Sequence, residues 1–325
     1  MMRRSARKIE LHRHLDVSLR ASTLLELAQA RGLVAQSTSL EAFKHNLYPT
    51  RPFPDLASAL AQFTLFQKVL SRPEILRRIA REAVEDCASE GLDGVEFRFS
   101  PGFVCELHPA MSWDDALSAF ELGIEDARKT APQIQAGLIC IASRDYGADS
   151  AAETVEFFLK HRKRFVGLDL AGNEKDFPCH MFESAFRRAK DSGANITIHA
   201  GEAAGPENMW EAIELLGAKR IGHGIRCIED PKLMRMLAEK KICLEVCPSS
   251  NWLIGLVPSL KAHPLARILR ENIPVTINTD DPGFFGVDWA KEVQIAREII
   301  GLNPEEIERC FRASEAHTFL PHLSA

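Results

Sequence analysis

The chain is short of several things, and each shortage removes a class of function. No run approaches the about 18 consecutive apolar residues that cross a bilayer. The N-terminal stretch MMRRSARKIELH has basic residues but neither an apolar segment of about 7–15 residues nor a cleavage-like site, so a cytoplasmic protein is expected. Eight cysteines, at 87, 105, 140, 179, 227, 243, 247 and 310, include no Cys-x-x-Cys pair and lack the density of a small secreted scaffold. They read as reduced thiols, with Cys243 and Cys247 packed on one strand. No strong charge of either sign is present: the formal net charge is −5 and the pI near 6.1, which argues against nucleic acid and membrane surfaces as partners. Two short basic clusters, at 3–7 and 160–164, read as a frayed terminus and a solvated helix end. Internal repeats and low-complexity linkers are also missing.

What is there has the make-up of an ordinary globular protein, 46% hydrophobic and 26% charged over 325 residues. Short β-branched or apolar runs at 8–12, 94–100, 135–142, 165–170, 195–199, 220–223, 242–246 and 274–278 read as strands. Between most of them lie amphipathic patterns, at 73–90, 113–130, 151–163, 181–192, 207–216, 231–240 and 263–271, with apolar residues spaced for helices. Regular strand–helix alternation argues for a parallel sheet, and eight units argue for a closed (β/α)8 barrel, a TIM barrel, before an open doubly wound sheet. The stretch 16–91, with helical patterns at 21–30 and 55–70 around a turn-rich YPTRPFP, reads as a helical lid inserted after the first strand. Helical patterns at 289–300 and 304–312 then complete a single domain over 8–325.

Four of these strands end in metal-ligating residue types. NITIHAGE at 195–202, KIELHRH at 8–14, KRIGHG at 219–224 and PVTINTDD at 274–281 each deliver His or Asp where the strand stops. Strand C-termini converge on one face of a barrel, so residues far apart in sequence meet there. His12 and His14, two apart on an extended chain, point the same way; His199 and Asp280 add to them. Three imidazoles and a carboxylate suit Zn²⁺ first, with Fe²⁺, Co²⁺ or Mn²⁺ after it. A catalytic zinc lowers the pKa of its water to about 7, which supplies a nucleophile at neutral pH. Glu202 and His223 are then candidates for proton handling, and Asp281 for a second polar contact.

The motifs HxHLD at 12–16, FRFSP at 97–101, DLAGNE at 169–174, HAGE at 199–202, RIGHG at 220–224, CPSSN at 247–251, TDDP at 279–282 and SEAHTFLP at 314–321 occur in that order. Together they resemble the adenosine deaminase family of metal-dependent barrel hydrolases. The resemblance implies a zinc held by His12, His14, His199 and Asp280, and Glu202 as the acid that protonates purine N1 while water adds at C6. It implies that His223 takes or orients the proton of that water, that Asp281 faces N7, that Gly172 offers backbone to N3, and that Asp16 bonds the ribose 5′-hydroxyl. Ser250 would hydrogen-bond the metal-binding aspartate, and Leu60 and Phe63 would form the apolar lid. The implied partner is a small purine nucleoside, with adenosine or 2′-deoxyadenosine deaminated to inosine or deoxyinosine.

One position departs from the pattern: Val17 stands where the family usually has glycine after HxHLD, which bears on the sugar side of the pocket. Relatives that act on adenine, on 6-aminodeoxyfutalosine or on N6-methylated AMP are the near alternatives. A different metal hydrolase of the barrel superfamily is the more distant one. Two-metal members often use a bridging carboxylated lysine on the fourth strand, and FVGLDL has no lysine, so a mononuclear site is expected.

Overall fold

Alternation along the second strand shows how the core is built. In Gly94–Phe99, Val95, Phe97 and Phe99 share one face while Glu96 and Arg98 share the other. Phe99 packs its ring 4.7 Å from that of Phe120 on a flanking helix, so the apolar face meets the helices and the charged face looks into the sheet's interior. This is a computed structural model that describes residues 5–321; Arg3 and Arg4 of the first basic cluster and the last four residues of the expected domain lie outside the described residues.

Eight strands form: β1 (Ile9–His14), β2 (Gly94–Phe99), β3 (Gln135–Ser143), β4 (Gly167–Ala171), β5 (Thr197–Ala200), β6 (Arg220–His223), β7 (Cys243–Val246) and β8 (Val275–Ile277). They pair in parallel in sequence order, as two four-stranded sheets, β1 to β4 and β5 to β8. Two seams join them. At the first, Leu168 N–H donates to Asn195 O at 2.9 Å. At the second, His14 N–H donates to Asp280 O at 2.9 Å and Asp280 N–H to His12 O at 3.0 Å. The sheet therefore curls and closes as a (β/α)8 barrel, and its last seam runs through the predicted ligands.

The crossover helix Pro73–Ser89 illustrates the outer ring. Proline opens it, and Ile75, Leu76, Ile79, Ala80, Ala83, Val84 and Cys87 form one buried stripe. It packs against Trp113–Ala127, which starts with a reciprocal Ser112–Asp115 capping box. Although the expected insertion included 73–89, this helix belongs to the ring. The extra chain is 15–72, with helices Ala21–Ala30, Leu40–Leu47, Leu56–Leu60 and Thr64–Val69. Leu40–Leu47 escaped the periodicity reading because it buries only Phe43 and rests on a Ser39 cap.

All eight cysteines are free and buried. Cys247 lies just past β7, preceding the helix Pro248–Leu253, and so does not share a strand with Cys243 as expected. Within the second basic cluster Lys160 and His161 reach Asp114 and Arg164 pairs with Glu121. Among the described residues no helix is long and apolar enough to cross a membrane.

Candidate active site

The strand tips gather the expected ligands around Asp280: ligand atoms of His12, His199 and Asp280, with His223, lie within 4.8 Å of one another, and His14 groups with Asp280 and Asp281 beside them. His12 Nε2 lies 3.1 Å and His14 Nε2 3.3 Å from the same Asp280 Oδ1. His14 Nε2 and His199 Nε2 are 3.3 Å apart. No bare side chains would hold three imidazole nitrogens and a carboxylate this close for their own sake; the grouping suits a shared cation. His12 Nε2 is buried and, although Asp280 Oδ1 is 3.1 Å away, makes no well-aligned hydrogen bond, as a lone pair available to an ion would. Asp280 sits at φ +66°, a left-handed conformation costly for a non-glycine residue. Its neighbours secure it: the seam hydrogen bonds hold its backbone, and Ser250 Oγ donates to its Oδ2 at 2.6 Å, in line with the expected role of Ser250.

Behind the ligands stands a row of charges that sequence reading missed. Glu245 Oε2 meets His12 Nδ1 at 2.9 Å, and Asp169 meets His199 Nδ1 at 3.0 Å, so each carboxylate accepts that N–H and leaves Nε2 free for an ion. Arg98 bridges the two, 2.7 Å from Asp169 and 2.7 Å from Glu245. Burial alone would raise both carboxyls. For Asp169 the charges of His199 and Arg98, and for Glu245 those of Arg98 and Arg220, reverse this and hold them below the usual range. A signal was present: Glu96, Arg98, Asp169 and Glu245 are charges inside apolar strands, which need buried partners. Gly222 on β6 leaves room for this layer, since a Cβ there would come 3.0 Å from His12 Cε1.

Two other carboxyls are pushed the opposite way. Burial first, and then the nearby charges of Asp280, Glu174 and Asp281, raise Glu202 well above its ordinary value. Burial, with Asp280 and Asp16 nearby, does the same for Asp281. Burial also drives His223 well below the imidazole range and His199 down to about 4. Such divergent environments are what divide acids from anions at one site. His223 Nε2 lies 3.4 Å from Glu202 Oε1. The Glu202 loop is held by Glu174, whose carboxylate accepts N–H bonds from Gly201 (2.6 Å), Glu202 (3.0 Å), Ala203 (2.9 Å) and Ala204 (3.0 Å). In the sequence Glu174 is only the end of a motif, because its role depends on the loop it cradles.

A cavity of about 210 Å³ opens beside His14 and is lined by Asp16, Val17, Leu60, Phe63, Tyr146 and Gly172, among others. Gly172 has φ +108°, and a Cβ there would lie 2.1 Å from Asp145 Oδ2, so only glycine fits. Asp16 accepts from Ser100 N–H at 3.1 Å through Oδ2, while its Oδ1 and the Oδ1 of Asp281 are buried without partners. Phe63 packs edge-on against Phe284, 5.1 Å between ring centres, which ties the 15–72 segment to the turn after Asp281. Val17 is buried and is not at positive φ, so valine costs the backbone nothing there; its effect is confined to the cavity wall.

A family model described as adenosine deaminase matches residues 7–324. An adenosine deaminase of Escherichia coli is 43% identical over 300 residues, 92% of this chain and 90% of that protein. Among solved structures, an adenine deaminase from Arthrobacter aurescens superposes with TM-score 0.89 at 25% identity, covering 98% of this chain and 95% of its own. An amidohydrolase from Burkholderia ambifaria with bound zinc gives TM-score 0.86 at 26% identity, covering 98% of this chain and 86% of its own.

Proposed function

This chain belongs to the adenosine deaminase family, and from that premise we propose that it hydrolyses the exocyclic C6–N bond of adenosine and 2′-deoxyadenosine, giving inosine or deoxyinosine and ammonia. One domain over 8–325, working in the cytoplasm on a small nucleoside, carries the activity, and the 15–72 segment serves as its lid. His12, His14, His199 and Asp280 would hold one divalent ion, zinc first and Fe²⁺, Co²⁺ or Mn²⁺ as substitutes. When bound, such an ion acidifies water and so supplies the nucleophile at neutral pH.

The chain's own groups do the rest. Glu202, kept protonated by burial, donates to purine N1 as the nucleophile adds at C6, because an electron-rich ring accepts addition only with a proton on that nitrogen. Asp281, also neutral, offers an O–H towards N7. The Gly172 backbone is set for N3, Asp16 Oδ1 for a sugar hydroxyl, and Leu60 and Phe63 exclude water above the base. His223 positions the nucleophile. The proton of the added hydroxyl then passes to the exocyclic amine, the C6–N bond breaks to release ammonia as C6 becomes a carbonyl, and Glu202 recovers its proton from the water that supplied the nucleophile.

The observation that carries this reading is that three of the buried side-chain atoms left without a hydrogen-bond partner lie at this site. His12 Nε2, Asp16 Oδ1 and Asp281 Oδ1 all belong to residues the reaction would use, one towards an ion, one towards the sugar and one towards the base. Similarity to an adenine deaminase of solved structure keeps the free base as the second reading; an acceptor reserved for a sugar favours the nucleoside. Ammonia release by metal-replete protein should be fast with adenosine and 2′-deoxyadenosine, slower with 5′-modified adenosine and negligible with adenine. Release from adenine alone would replace this reading with the second.

A further inference from the structure

Atoms of His12, His199, His223 and Asp280 all lie within 4.8 Å of one another, so distance alone does not separate ligand from neighbour. The partner at each ring's other nitrogen does. His12 and His199 give their Nδ1 protons to carboxylates. His223 Nδ1 instead faces an amide, Asn251 Nδ2, at 3.0 Å.

That amide's direction is fixed from the far end of a hydrogen-bond chain. The Leu265 backbone N–H donates to His263 Nδ1 at 3.1 Å, and a backbone N–H can only donate, so this nitrogen carries no proton. His263 is buried, which pushes it down to about 4 and keeps it neutral. Its single proton is therefore on Nε2, 3.2 Å from Asn251 Oδ1. With its oxygen committed there, Asn251 must turn its NH₂ to His223. His223 Nδ1 then accepts and Nε2 keeps the proton, facing the oxygens Glu202 Oε1 at 3.4 Å and Asp280 Oδ2 at 3.9 Å.

We propose that Asn251 and His263 are positioning residues that lock His223 in the Nε2–H tautomer, so that it serves the reaction as a hydrogen-bond donor to the oxygen nucleophile, not as its base or as a metal ligand. This deepens the deaminase reading and rests on it for the role of His223, but the tautomer is measured without turnover.

Nitrogen NMR of zinc-loaded protein labelled with ¹⁵N-histidine, the His223 signals identified by their loss in His223→Gln, tests it. The wild type should show a proton on Nε2 and a bare Nδ1. Asn251→Asp, with two acceptor oxygens, should move the proton to Nδ1 and lower kcat by about 100-fold or more with KM changed less than about threefold, the size of losing one aimed donor. His263→Phe should mix the tautomers, and His263→Gln, which keeps an N–H donor, should restore the wild-type pattern. A wild-type spectrum with the proton on Nδ1 would overturn the proposal even if every variant misfolds. So would an Asn251→Asp protein that keeps Nε2–H. A correct tautomer in a protein that does not deaminate adenosine would leave the lock standing and remove the substrate assignment.

Discussion

At Glu202 the protonation state is set by what surrounds the carboxyl, not by what it is bonded to. Replacing it with glutamine preserves shape and cannot pass on a proton. Glu202→Gln should therefore retain metal and bind nucleoside while kcat falls by about 10²–10⁴-fold, and a near-normal kcat would remove it as the acid. His199→Ala should reduce bound metal; full stoichiometry by elemental analysis would strike it from the ligand set. Glu292 offers a pH experiment on a carboxyl outside the expected ligand set. It accepts from Ser249 N–H at 3.1 Å, and burial pushes it up from 4.5 to about 8. A carboxyl with a raised folded-state pKa stabilises the fold relative to higher pH, fully below about 4.5, with the benefit lost as pH rises to about 8. Glu292→Gln should flatten that decline in urea unfolding across the window, and parallel curves for variant and parent would show that the carboxyl is not held neutral. The expected ligands, with Glu202 and His223, were legible because strand tips announce them, whereas Asp16, Gly172, Leu60 and Phe63 came only from the resemblance to a family. Glu245, Asp169, Asn251 and His263 were not legible, because their roles depend on which strands lie across the barrel.

Among the elements, strands and long helices followed from periodicity, whereas Pro101–Cys105, Pro248–Leu253 and Pro282–Phe285 did not. Each is only one turn or so, too short for a repeating stripe, and each starts with proline within a few residues of a strand end. They bend the chain sharply enough to leave Ser250 beside Asp280 and Phe284 beneath Phe63. The loop at 201–204 is governed by a different device, a cradle of N–H groups closed on one carboxylate. Glu174→Gln replaces one acceptor oxygen with a donor that faces those N–H groups. It should cost about 1–3 kcal/mol in unfolding free energy and lower kcat by about 10–100-fold through the misplaced Glu202. Unchanged stability and kcat in the same protein would show that the loop holds itself.

For the whole molecule, the barrel order was readable from eight alternating units, but the content of its interior was not. Arg220 joins Glu245 at 2.6 Å to Glu96 at 2.6 Å, continuing the charge row below the ligands. The C-terminal segment finishes it: Thr318 Oγ1 donates to Glu96 at 2.6 Å, and the Arg220 guanidinium lies 3.6 Å over the Phe319 ring. SEAHTFLP, recognised only as a motif, thus plugs the end of the barrel opposite the site. Arg220→Met would remove the guanidinium paired with Glu96 and one of the two paired with Glu245, so it should cost about 3–5 kcal/mol in chemical denaturation and reduce metal retention through Glu245 and His12. Stability within error of the parent would mean the row is not a single unit. The seam between β8 and β1 has a consequence for biogenesis. Because His12 and His14 precede Asp280 by most of the barrel, a growing chain carries the two imidazoles long before the aspartate that meets them. The seam, and any cation site built across it, can therefore close only after the eighth strand has been made.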